Sequence, residues 1–284
     1  MTFTVKKLTP NIGAEVVGLD IAKGIDEETA QQLRETLETR YVVLLRDQKI
    51  TPAQQVEYAR VYGTPESLSG YGGSAVDAAV TGLPPEVFQI TNDPDNPTSE
   101  SLKGAARWHT DLTWSNLPSK AAVLHAQNLP SDGAGTKWCA LYAAYDALPE
   151  ERKAELEKLR AVHSVEAAQL RDHPDASEED LANWRRVPPI EHPLVWTHAD
   201  GRKSLVLGPT IDHIVGMPRE ESEALREELE AWCIQPQFVY EHEWTVGDLL
   251  IWFNSATMHH AVEYTGPELR LLHRITITGE EEIH

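Results

Sequence analysis

Apolar positions along the chain recur with two periods, and the switches between them divide it into helices and strands. The stretch DEETAQQLRETLETR, from Asp26, has an acidic start and leucines at 33 and 37, one turn apart, which predicts an amphipathic helix. YVVLLR, 41 to 46, follows as a buried strand. In TPAQQVEYARVYG, Thr51 is placed to cap a helix and Pro52 to occupy its first turn, so a second helix is expected to end near Gly63. Beyond it, ESLSGYGGSAVDAAVTGLPPE is a long loop rich in glycine and serine. Loops of this length in compact domains are functional or disordered.

From there the period is mostly two. Strands are predicted at EVFQIT near 87, WHTDLTW at 108 to 114, AAVLHAQ near 121, SLVLG near 204, FVYEHEW near 238, DLLIWFN near 248 and LHRITIT near 272. Helical patterns interrupt them over roughly Tyr142 to Val162 and in PREESEALREELEAWC, where Ala224, Leu225, Leu229, Trp232 and Cys233 share one face. HPDASEEDLANWRRVPP, 173 to 189, is polar and bounded by proline, and reads as an insertion over the surface or over a site. With no internal repeat and no linker, the chain reads as one domain over 1–284. The class is mixed α/β, mainly β, a sandwich or barrel with helices outside, and lid or insertion segments are expected near 64–85 and 165–190.

Composition narrows the partners. Hydrophobic residues at 41% and charged residues at 25% are ordinary for a globular protein. No run approaches the roughly 18 to 20 apolar residues that cross a bilayer, and MTFTVKKLTP lacks the apolar segment of a signal peptide, so a cytoplasmic location is expected. Cys139 and Cys233 match no metal-binding spacing and are expected to be buried thiols. A net charge of −20 repels phosphate backbones and anionic membranes, which argues against nucleic acid or membrane as partner. Any arginine that must attract an anion works against that field.

Candidate chemistry begins at WHTDLTW. On a strand, His109 and Asp111 project to one side and Trp108, Thr110 and Leu112 to the other, so an imidazole and a carboxylate can occupy adjacent positions around one metal ion. The polar face of an ordinary amphipathic strand has the same pattern. NSATMHHAVEY, 254 to 264, offers a third ligand, and since His259 and His260 face opposite ways on an extended chain, one at most can join. Two histidines and a carboxylate on one face of an octahedron leave three positions open, as in non-haem Fe(II) oxygenases. Zinc enzymes use the same residue types, so the ligand set leaves the metal open.

Five stretches in order, GAEVVGLDIAKGID, RWHTDLTW, LPSDGAGTKWCALYAAYDALP, HPLVWTHADGRKSLVLG and WFNSATMHHAVEYTGPELRLLHRITITGE, resemble the taurine dioxygenase and 2,4-dichlorophenoxyacetate dioxygenase family of Fe(II)/2-oxoglutarate-dependent oxygenases. The resemblance implies a double-stranded β-helix (jelly roll) core with flanking helices. It implies His109, Asp111 and His259 as the iron ligands, with His260 outside the site. It further implies that Arg270 and Thr136 hold the distal carboxylate of 2-oxoglutarate, and that Arg274 lies near the substrate acid group and the inner end of the cosubstrate. The implied cofactors are Fe(II), 2-oxoglutarate and O2, and family members are often dimers or tetramers, so a homo-oligomer is expected.

The chemistry calls for these residue types as well. Bound 2-oxoglutarate brings two negative charges and Asp111 a third, against two positive charges on iron, so the pocket needs a cation. Arginine's planar fork suits a carboxylate better than lysine. Two departures from the family pattern stand out: Phe253 replaces an acidic residue, and the polar residues that surround taurine are missing around Ala105 and in ESLSGYGGSA. Taurine is therefore disfavoured. Because Asp111 keeps its carboxylate, no coordination position is freed for chloride, and halogenation is disfavoured too.

The expected reaction is hydroxylation of a small organic acid, a carboxylate or sulfonate, with release of succinate and CO2. Tyr71, Ile211 and His213 are candidate pocket residues beside Arg274. Two alternatives remain at this level. A zinc-dependent hydrolase would leave Arg270 and Thr136 without a task, and a non-catalytic jelly-roll sensor of organic acids would tolerate loss of His109.

Overall fold

The computed structural model describes residues 3–67, 82–96, 105–131, 135–264 and 266–284. Its architecture is mixed α/β and mainly β. The strands are β1 (Thr4–Lys7), β2 (Ala14–Val17), β3 (Val42–Leu45), β4 (Phe88–Thr91), β5 (Ala121–Asn128), β6 (Thr136–Ala140), β7 (Arg160–His163), β8 (Ile190–Pro193), β9 (Val195–Thr197), β10 (Lys203–Leu205), β11 (Ile211–Ile214), β12 (Val239–His242), β13 (Leu249–Phe253), β14 (Thr257–Ala261) and β15 (Leu271–Ile277). Seven of them form one sheet in the order β1-β2-β3-β13-β5-β15-β4, antiparallel except between β2 and β3. Three-stranded sheets β12-β6-β14 and β11-β7-β8 and the pair β10-β9 complete the fold.

Why β3 and β13 are apolar at every position follows from what covers them. Val43, Leu45, Leu249, Ile251, Ala121, Val123, Ile275 and Ile277 pack with Leu33 and Leu37 of α1 (Glu27–Arg40) and Val56 and Ala59 of α2 (Pro52–Arg60). The intervening residues Val42, Leu44, Leu250, Trp252, Leu124 and Leu272 pack with Trp138 of β6 and Tyr240 of β12. The large sheet is thus buried between a helical layer and the β12-β6-β14 sheet, and a strand covered on both faces has no polar side to show. Caps fix the helices in place: Asp26 accepts from Thr29 N–H, and Thr51 and Gln54 form a capping box.

Two predicted elements differ. The helix expected over Tyr142 to Val162 is instead α3 (Leu141–Asp146), α4 (Glu150–Leu156) and strand β7. Pro149 breaks it, since proline supplies no N–H and disfavours helical backbone in the residue before it. WHTDLTW is not a strand. His109 makes a single bridge to His259, and a turn follows in which Leu112 takes φ 60°, a left-handed conformation uncommon for a β-carbon residue.

The segment near 165–190 contains α5 (Val165–Asp172) and α6 (Glu178–Trp184), neither with a fully buried residue. It is docked by Arg171, which donates to the carbonyls of Pro209 and Ile211 and to both carboxylate oxygens of Glu223 on α7 (Arg219–Cys233). Most of the segment near 64–85, Tyr71 included, lies outside the described residues. Among the described residues, no helix is long and apolar enough to cross a membrane. Cys139 and Cys233 are buried free thiols, as expected.

Candidate active site

In the middle of β14, the bridge that joins His259 to His109 runs through two backbone hydrogen bonds, of 3.0 and 2.8 Å. It brings the two imidazoles together with ring centroids 4.0 Å apart and planes tilted by 45°. The turn after His109 then carries the Asp111 carboxylate back to them, so that its Oδ1 lies 3.7 Å from His109 Nε2 and 3.8 Å from His259 Nε2. The three donor atoms all fall within 4.8 Å of one another. His260, next along β14, is not among them.

These separations are too long for hydrogen bonds. His109 Nδ1 is 2.7 Å from the Arg107 carbonyl, which can only accept, so in the neutral ring Nδ1 carries the proton and Nε2 presents a lone pair. Burial and the neighbouring His109 hold His259 well below the ordinary imidazole range, so it is neutral. Burial pushes the Asp111 carboxyl up, but the Arg274 guanidinium, by its charge and its hydrogen bond, leads the groups that outweigh it and hold it down at about 2. Three electron-pair donors therefore converge on one point with no positive group between them, an arrangement that a divalent cation satisfies. Two imidazoles and one carboxylate suit Fe(II) or Zn(II).

Asp111 Oδ2, turned away from the imidazoles, accepts from Arg274 at 2.5 Å. The Arg274 guanidinium lies over the Trp252 ring, 5.4 Å from its centroid, and Trp252 in turn sits 4.8 Å from His259. The Asp111 backbone is gripped separately. Its N–H donates to Asn254 Oδ1 and its carbonyl accepts from Asn254 Nδ2, both at 3.0 Å, while the same Nδ2 donates to the Ser119 carbonyl at 2.9 Å and Oγ at 3.1 Å. Asn254 is fully buried and holds the backbone of this ligand. Phe253, the departure from the family's acidic residue, packs on the opposite side of β13 against the helical layer.

Arg270 is the odd charge in this neighbourhood. Only 9% exposed, it makes no ion pair among the described residues, and its Nε has no hydrogen-bond partner. Burial alone lowers its pKa to about 10. Its backbone is held by Asn92, whose Oδ1 accepts from Arg270 N–H at 2.8 Å. Thr136, at the start of β6, is buried and accepts from Trp244 Nε1 at 2.9 Å. A buried guanidinium and a hydroxyl proton that find no counter-group among the described residues are groups that an anion would satisfy.

Ile211 is buried in the apolar cluster of Leu207, Leu225 and Leu229. His213 is half-buried at a bulge of β11, with Nδ1 2.7 Å from Asp212, which Arg219 also grips. His163 and His192 lie side by side beneath the Asp111 turn, where Thr210 links His163 to Thr113 and His192 reaches the Ser115 carbonyl.

A structure titled AAD-2 in complex with Mn(II) and N-oxalylglycine superimposes with a TM-score of 0.84 over 100% of both chains, at 28% identity. An alkylsulfatase of Acinetobacter baylyi is 31% identical over 97% of this chain and 84% of its own length. The alpha-ketoglutarate-dependent 2,4-dichlorophenoxyacetate dioxygenase of Cupriavidus pinatubonensis is also 31% identical, over 97% of this chain and 98% of its own. The model of the taurine catabolism dioxygenase TauD, TfdA family matches residues 4–276, and the chain belongs to that family.

Proposed function

We infer that this protein is an Fe(II)- and 2-oxoglutarate-dependent dioxygenase that hydroxylates a small organic acid, a carboxylate or a sulfonate. The observation that carries this reading is the pairing of two unmet demands: three lone pairs awaiting a cation at His109, Asp111 and His259, and a buried Arg270 awaiting an anion. A zinc hydrolase answers only the first. The large sheet facing the β12-β6-β14 sheet over a shared core supports a jelly-roll description of the single domain.

In this reading His109 Nε2, Asp111 Oδ1 and His259 Nε2 hold the metal, and the Arg107 carbonyl fixes the tautomer of His109. Arg270 and the Thr136 hydroxyl hold the distal carboxylate of 2-oxoglutarate. Arg274 neutralises Asp111 and presents its remaining donors to the acid group of the substrate. Trp252 and Trp138, both nearly fully buried, keep water from the inner wall. When bound, Fe(II) with O2 and 2-oxoglutarate supplies oxidative decarboxylation, so that R–H, O2 and 2-oxoglutarate give R–OH, succinate and CO2. Where the hydroxylated carbon carries an ether or ester oxygen, the product fragments. Relatives named for an aryloxy acid and for sulfate esters support that outcome.

Anaerobic titration of metal-free protein with Fe(II) and then 2-oxoglutarate tests the assignment. A visible charge-transfer band that needs both additions is expected, and it should vanish in His109→Ala. Turnover of an acid panel in the absence of O2, or with Zn(II) alone, would overturn it. Succinate release then ranks the candidate acids.

A further inference from the structure

The hydroxyl of Thr136 has one proton and two lone pairs, and which of them meets a ligand depends on what else touches it. Trp244 decides this. Its indole nitrogen can only donate, and it donates to Thr136 Oγ1 at 2.9 Å. One lone pair is thereby occupied, and of what remains, the proton and a second lone pair, a carboxylate can meet only the proton. Among the described residues no acceptor takes it. Both side chains are buried, Thr136 to 3% and Trp244 to 8% exposure, so water does not compete freely for either group.

The indole is itself held. Thr136 pairs across the sheet with His242, and Trp244 lies two residues beyond it on the same segment. The His242 ring stands edge-on to Trp244 with centroids 4.7 Å apart and planes at 86°. That imidazole is engaged at both nitrogens, by Tyr240 OH at 2.8 Å and by Asp248 Oδ2 at 3.0 Å. Asp248 Oδ2 is fixed in turn by Arg46 and by the Thr245 N–H, each at 2.8 Å. Tyr240, Trp244 and Trp138 share one apolar cluster, so the wall is packed as well as hydrogen-bonded.

We propose that Trp244 is a positioning residue for the cosubstrate: its indole N–H polarises and orients the Thr136 hydroxyl as a donor to the distal carboxylate of 2-oxoglutarate. The inference rests on the proposed function. It adds a residue that touches neither metal nor cosubstrate and acts through Thr136. Hydrogen bonds in series strengthen one another, so the contribution of Thr136 should depend on Trp244.

The test is a double-mutant cycle on Trp244→Phe and Thr136→Val, read by calorimetric titration of N-oxalylglycine into Zn(II)-loaded protein and by steady-state kinetics. Trp244→Phe keeps the ring packing and deletes the N–H. We expect it to weaken N-oxalylglycine binding roughly 3- to 10-fold, and to raise KM for 2-oxoglutarate by more than it lowers kcat. In the Thr136→Val background the same substitution should add less than about twofold, since additivity marks independent sites. Equal weakening in both backgrounds would mean that Trp244 acts by packing, and no weakening in either would dismiss it altogether. If the unmutated protein binds no N-oxalylglycine with metal present, the proposed function fails first and this inference falls with it. Should Trp244→Phe not fold, the Trp244 indole 15N–1H resonance of the native protein reads the same contact: N-oxalylglycine should move it downfield, and an unmoved resonance overturns the proposal.

Discussion

Replacing Arg270 with methionine should make the protein at least as stable in the absence of cosubstrate, while removing its response to cosubstrate. The guanidinium is buried, has no carboxylate partner among the described residues, and leaves Nε without a hydrogen bond. A fall in pKa from 12.5 to about 10, caused by burial, corresponds to about 3 kcal/mol of lost preference for the charged form. The depressed group is a cation, so this penalty is present in full below pH 10 and is relieved only as pH rises through 10. At pH 7.5 it is fully expressed. Methionine has similar length, carries no charge and regains apolar contact, so a gain of about 1 to 3 kcal/mol is expected for metal-free protein. Urea denaturation measures it as a rise in midpoint at constant slope. Adding Mn(II) and N-oxalylglycine at about 100 times the dissociation constant should stabilise the unmutated protein by about 2.7 kcal/mol more than metal alone and leave the variant nearly unchanged. A metal-free Arg270→Met protein that is less stable by more than about 1 kcal/mol would refute the reasoning, because it would mean that the arginine has a structural partner.

Asn254→Asp, nearly isosteric, keeps an oxygen for the Asp111 N–H but turns an anionic oxygen toward the carbonyls of Asp111 and Ser119. A loss of about 3 to 5 kcal/mol and a 10- to 100-fold weaker metal affinity are expected; denaturation within about 1 kcal/mol of the parent would count against the Asn254 clamp. Burial and the adjacent His192 hold His163 near a pKa of about 3, below its unfolded value, so it contributes stability that is full above pH 6.5 and is lost as pH falls toward 3. Near pH 5 the loss is about 2 kcal/mol, and His163→Asn should flatten the stability profile between pH 7 and 5 by that amount; identical profiles would dismiss the assignment. Arg171→Ala removes the ties from α5 to Pro209, Ile211 and Glu223. Limited proteolysis should then cut near 173–177 several times faster, and unchanged cutting would mean that the hairpin docks by other contacts.

Much of this architecture is local and could be read from residues alone. Caps and apolar spacing marked α1, α2 and α7, and unbroken apolar runs marked β3 and β13, because such signals involve neighbours a few residues apart. The same reasoning misread WHTDLTW, since a bridge followed by a turn satisfies an alternating pattern as well as a strand does, and it carried a helix through Pro149. Strands β1, β2, β8, β9 and β11, with three or four residues each, carry too little periodicity to register.

For the site, residue types and spacing pointed to His109 and Asp111 and left His259 and His260 as alternatives for a third ligand, while the choice of His259, Thr136, Arg270 and Arg274 rested on the resemblance to the family. Tertiary structure alone decided how they are held. Asn254 finds the Asp111 backbone across a separation of 143 residues, and Trp244 finds Thr136 across 108. It also left Arg270 buried without a counter-ion among the described residues, which no pattern of residues announces. Sequence records what a side chain can donate, accept or ligate; whether those capacities are already satisfied depends on which distant neighbours the sheets bring beside it.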